Sequence, residues 1–130
     1  MKARFFCAMM LTCFAVAGCG GQGLVKTGGM VKFEDGSPVT GGGIAFETST
    51  YQAAGAIHSD GSYTLSSLKP GDGLPPGEYK VTVNWSESSD SGKTTYYVDP
   101  LFGDPKTTTL SAEVTKGGKS QFDFTVTKPK

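Results

Sequence analysis

The side chains able to do chemistry are few and scattered. His58 is the only histidine, so neither a histidine-based metal cage nor a histidine dyad can form within one copy of the chain. It precedes Ser59-Asp60-Gly61 and reads as a solvent-exposed residue at a strand end. Asp60, Asp72, Asp99 and Asp104 each stand beside Gly or Pro. Ca2+ prefers such oxygen donors, but a calcium loop gathers several within about a dozen residues, and these are spread more widely. They are expected to serve as turn carboxylates, with a Ca2+-stabilised surface module as an alternative. Gly117-Gly118-Lys119-Ser120 matches the end of a phosphate-binding loop, yet Glu113 occupies the position of that motif's first glycine. A turn accounts for it. No serine lies in a Gly-x-Ser-x-Gly elbow, so neither a catalytic residue nor a cofactor is expected. Trp85, Tyr96 and Tyr97 flank the polar stretch from Ser86 to Lys93. Aromatic side chains around an exposed loop can make a platform for a glycan or peptide. The competing expectation is that alternate members face the core.

Composition limits what could position these groups. The chain has 130 residues, 12 Lys+Arg against 12 Asp+Glu, 37% hydrophobic and 18% charged residues. That length holds one domain. A net charge of zero leaves no excess of cations to neutralise phosphates, so nucleic acid is not expected as a partner.

The N-terminus is built differently from the rest. Lys2 and Arg4 precede an uncharged, mostly apolar run from Phe5 to Ala17, shorter than the roughly 20 residues that span a bilayer. A charged start followed by a short apolar segment is the layout of a secretory signal. Val16-Ala17-Gly18-Cys19 resembles the lipobox of bacterial lipoproteins. That resemblance implies removal of residues 1–18 and lipidation of the Cys19 thiol. Cys7 and Cys13 would leave with the signal, so no disulfide is expected. Two or three acyl chains at about 0.8 kcal/mol per buried methylene hold a protein durably on a membrane it does not span. Residues 19–29, rich in glycine, are expected as a flexible tether. Gly20 stands where proteobacterial sorting places an Asp to retain a lipoprotein at the inner membrane, which slightly favours the outer membrane of a bacterial envelope.

From residue 30 onward the pattern is that of short strands with turns at regular intervals, the signature of an all-β sandwich. Strands are expected at 30–33, 43–47, 54–59, 62–66, 78–85, 108–115 and 121–127. The clearest runs from Glu78 to Trp85, with Tyr79, Val81, Val83 and Trp85 on one face. Asp60-Gly61 is the strongest hairpin signal, Gly117-Gly118 reads as the turn between the last two strands, and residues 86–93 read as a polar loop.

Asp35-Gly36-Ser37-Pro38-Val39, Gly43-Ile44-Ala45-Phe46, Asp60-Gly61-Ser62-Tyr63-Thr64-Leu65 and Pro76-Gly77-Glu78-Tyr79-Lys80-Val81-Thr82-Val83 resemble carboxypeptidase regulatory-like domains. The tail, from Val98-Asp99-Pro100-Leu101-Phe102 to Phe122-Asp123-Phe124, is similar to that of small lipoproteins abundant in planctomycetes. The resemblance implies a Greek-key sandwich of about seven short strands, transthyretin-like, over residues 30–130. It also implies an anchored, non-catalytic structural or interaction module. The transthyretin fold hosts 5-hydroxyisourate hydrolase, but those enzymes use several histidines and end in Tyr-Arg-Gly-Ser. This chain has one histidine and ends Val126-Thr127-Lys128-Pro129-Lys130, which excludes that activity.

Overall fold

The computed structural model describes residues 23–130. Cys19 and the signal segment lie outside the described residues. Seven strands make two sheets. β1 (Gly28–Phe33), β4 (Ser62–Thr64) and β9 (Phe124–Val126) form a three-stranded sheet in the order β4-β1-β9. β2 (Gly43–Glu47), β3 (Gln52–Ala56), β5 (Gly77–Asn84) and β8 (Leu110–Val114) form a four-stranded sheet in the order β3-β2-β5-β8. β2 and β3 are a hairpin, β4 crosses to the other sheet, and β5 returns beside β2, a Greek-key path. The chain is therefore an all-β sandwich. β1 pairs antiparallel with β4 and parallel with β9.

Alternation explains each strand. In β5, Tyr79, Val81 and Val83 point inward while Glu78, Lys80 and Asn84 stay exposed. Pro75 and Pro76 set the approach to the strand. The Tyr79 hydroxyl then donates to the Pro75 carbonyl at 2.6 Å, a latch of the tyrosine-corner kind. Phe46, fully buried, is the hub between the sheets. Its ring centroid lies 6.3 Å from Tyr63, 6.2 Å from Tyr79, 6.0 Å from Phe122 and 5.8 Å from Phe124. Tilted and edge-on pairs at these separations add to area burial. The Tyr63 hydroxyl donates to the Phe122 carbonyl at 2.6 Å, so its buried polar atom is satisfied.

Several expectations are corrected. Asp60-Gly61 closes a local antiparallel reversal, with His58 N donating to Ser62 O at 2.8 Å and Ala54 exchanging backbone bonds with Ser66 at 3.1 and 2.9 Å, but the main ladders of β3 and β4 run with β2 and β1, so the turn also carries the chain from one sheet to the other. Gly117-Gly118 likewise joins β8 and β9, which lie in different sheets. The segment expected as a polar loop holds a two-stranded ribbon, β6 (Ser86–Ser88) with β7 (Thr94–Tyr96), closed by Ser89 N donating to Lys93 O at 2.8 Å. Gly28 and Gly29, expected in the tether, already belong to β1. Val25 and Leu74 exchange two backbone hydrogen bonds, 2.8 and 3.1 Å.

Candidate functional site

Of the expected aromatic platform, Trp85 and Tyr97 are half-buried and packed on each other, while Tyr96 is exposed. Trp85 follows β5 and Tyr97 follows β7. Their rings lie 4.7 Å apart at 32°, and Tyr97 N donates to Trp85 O at 2.8 Å. The indole also covers Gly41, where a Cβ would meet Trp85 Cε2 at 2.9 Å. Gly42, at φ +85°, would place its Cβ 2.6 Å from Trp85 Cβ, so glycine alone fits at that position. Tyr97 donates its hydroxyl to Glu87 Oε2 at 3.1 Å, and this bond raises its pKa above the ordinary value. Tyr96 is 47% exposed and is the member of the three that faces solvent.

The expected turn carboxylates are used as such. The Asp60 carboxylate accepts from the Ser62 hydroxyl and backbone N–H, and Asp35 is bound the same way by Ser37. The two Asp-Gly-Ser sequences thus make the same turn chemistry, and the serine bonds hold both carboxyls below the usual aspartate value. Asp99 accepts from Leu101 N at 3.0 Å and Asp104 from Lys106 N at 2.8 Å. Among the described residues no three His, Cys, Asp or Glu side chains converge as metal ligands. The structure does not bring Asp60, Asp72, Asp99 and Asp104 together. His58 is exposed, with its backbone in the same turn as Asp60.

Asp72 does more. Its carboxylate accepts from the backbone N–H of Ser67, Leu68 and Lys69 at 2.6, 3.0 and 2.9 Å. These donors, Ser67 first, draw its pKa below the ordinary value. Ser66 Oγ accepts from Gly71 N at 2.8 Å, so residues 66–73 form a clasped loop. Its apex exposes Leu68, 85% accessible. Sequence reading missed this side chain; the available signal was one leucine among Ser, Pro, Gly and Asp. The loop abuts the entering chain: Gly73, at φ +88°, packs so closely on Val25 that a Cβ would collide with the Val25 carbonyl.

A groove of about 930 Å3 crosses the outer face of the four-stranded sheet, lined by Glu47, Glu78, Lys80, Lys106, Ser111 and Glu113 among others. Glu47 faces Lys80 across β2 and β5, while Glu78 faces Glu113 across β5 and β8. The second pairing opposes like charges, which destabilises a sheet. Lys80 Nζ donates to Pro105 O at 3.1 Å, closing the groove on one side. The lining can exchange hydrogen bonds and charge with a polar ligand.

No family model matches the chain, and no curated protein matches it. Among solved structures it is similar to BcpA, the major pilin subunit of Bacillus cereus, with a TM-score of 0.49 and 13% identity. The match covers 82% of this chain and 30% of the pilin chain, so the chain spans under a third of that protein's length. Among the described residues no helix is long and apolar enough to cross a membrane.

Proposed function

We propose that the protein is a lipid-anchored β-sandwich of a bacterial cell envelope, acting as a non-catalytic structural or interaction module of the carboxypeptidase regulatory-like kind. The observation that carries this reading is the sequence Val16-Ala17-Gly18-Cys19 directly after a charged start and a short apolar run. The domain supports it by its economy: five aspartates are committed to backbone donors in turns, and Trp85 is packed against Tyr97 and Gly41. The groove beside Lys80 offers room for a polar partner.

The test is the intact mass of the protein recovered from bacterial membranes, with a palmitate analogue fed to the cells. A chain beginning at Cys19 and carrying acyl mass is expected, with label lost in Cys19→Ser. An unmodified Cys19, or equal label in Cys19→Ser, overturns the anchor.

A further inference from the structure

We propose that the end of the sandwich at which the chain enters, tipped by Leu68 and ringed by lysines, rests on the surface of an anionic phospholipid bilayer. The proposal builds on the lipid anchor and adds a second, non-covalent contact. Three independent observations meet at this end.

The first is reach. Val25 is already paired with Leu74, and only five residues separate it from Cys19, six Cα–Cα steps in all. Even fully extended, that chain spans at most about 22 Å. A lipid on Cys19 therefore keeps the 66–73 loop close to the headgroups.

The second is the loop itself. A single exposed leucine is ordinary on a protein surface. Leu68 differs because its backbone N–H is held by Asp72 and its neighbours by the same carboxylate, so the side chain is presented without further ordering. It sits beside Lys69, and an apolar side chain next to a cation is the pairing that suits a bilayer interface.

The third is charge. The start of β1 meets the end of β4, and the start of β5 meets the end of β8. The loops 23–27, 48–51, 65–76 and 115–123 therefore share one end. They carry Lys26, Lys69, Lys116 and Lys119 against two carboxylates, Asp72 and Asp123, each engaged with backbone N–H groups, Asp123 with that of Met30 at 2.9 Å. The opposite end, loops 34–42, 57–61 and 85–103, carries Glu34, Asp35, Asp60, Glu87, Asp90 and Asp99, with Lys93 in the same loops and Lys128 and Lys130 in the tail. Glu47, Glu78 and Glu113 point sideways into the groove. The neutral total thus conceals a polar molecule whose cationic end faces the anchor. Near a surface of anionic lipid each lysine strengthens attachment by about fivefold, and the field reaches about a Debye length.

The experiment uses the chain from Cys19 on nanodiscs, methyl-labelled at leucine, with a paramagnetic lipid in the bilayer. Leu68 and Leu101 are both exposed but stand at opposite ends of the sandwich, so their methyl signals serve as probe and internal control. The protein is prepared twice, once with its native lipid and once with Cys19 coupled to a maleimide lipid. The coupled form tests docking whatever the cell attaches to Cys19, while the intact mass reports the anchor separately. With phosphatidylglycerol in the disc, Leu68 is expected to broaden several-fold more than Leu101. The difference should shrink in pure phosphatidylcholine, at raised salt, and in the triple variant Lys26→Gln, Lys69→Gln, Lys116→Gln, whose altered side chains are all exposed. Equal broadening of Leu68 and Leu101 in the coupled form overturns the proposal and reassigns the Leu68 tip to a protein partner. So does a difference indifferent to lipid charge.

Discussion

Trp85 and Tyr97 stack 4.7 Å apart while the backbone N–H of Tyr97 bonds the Trp85 carbonyl. One contact fixes the rings and the other fixes the strands beneath them, so the β6–β7 ribbon is pinned to the end of β5. Trp85→Ala should cost about 2 kcal/mol, less than a fully buried tryptophan because the ring is partly exposed. Tyr96→Ser should stay within about 0.5 kcal/mol. Urea midpoints of the two variants check this, and equal losses would contradict it.

Phe46 carries the contact between the sheets, so Phe46→Ala should cost about 3–5 kcal/mol. Tyr63→Phe should cost about 1–2 kcal/mol, because it leaves the Phe122 carbonyl without its donor. Chemical denaturation of both variants, with unchanged m-values, is the appropriate measurement.

Two groups of residues set the pH limits. Hydrogen bonds from Ser37, Ser62 and Ser67 lower the carboxyls of Asp35, Asp60 and Asp72 below 3.8 in the fold. Their stabilisation is complete above that value and is lost as pH falls through the lower, folded values. Tyr63 behaves oppositely. Burial, then the charge of Asp123, raises its pKa above 10.0, so its contribution is complete below pH 10 and declines as pH rises beyond it. Stability measured against pH should be flat near neutrality, and Tyr63→Phe should flatten the alkaline limb.

Gly36 and Gly73 share φ +88° but differ in surroundings: nothing lies within 4 Å of a Cβ at Gly36, whereas one at Gly73 strikes Val25. Gly36→Ala should cost about 1 kcal/mol for backbone strain alone. Gly73→Ala should cost more and accelerate hydrogen exchange at Val25 and Leu74, whose amides the collision would separate. Equal costs would mean the Val25 contact yields freely.

Much of the sandwich is legible in the residues, for identifiable reasons. Tyr79, Val81 and Val83 alternate on a half-buried strand, and period-2 patterning reports burial on one face directly. The pairing partners are less legible. Asp60-Gly61 encodes a local reversal, and the backbone of a reversal is the same whether the next strand joins its neighbour or the opposite sheet. The ribbon at 86–96 is invisible to patterning because both its faces are polar and exposed. At the site, the turn aspartates are readable from their Gly and Pro neighbours, but the half-burial of Trp85 is not readable from its own position. Its burial comes from Gly41 and Gly42, over 40 residues earlier in the chain.

The parallel register of β1 and β9, Val31 with Phe124 through Phe33 with Val126, has a mechanical consequence. The chain enters β1 at one end of the sandwich and leaves β9 at the other. Tension between an anchored N-terminus and a load on the C-terminal tail would pull these two strands past each other lengthwise, loading their hydrogen bonds together. Pulling at Cys19 and Lys130 in an optical trap should show the Val25–Leu74 pairing yield first, at low force, and the sandwich later in one abrupt step. Gradual opening at low force throughout would contradict that order. A domain joined in this way resists being unravelled from its two ends by shear strength, which neither its size nor its count of hydrogen bonds would suggest.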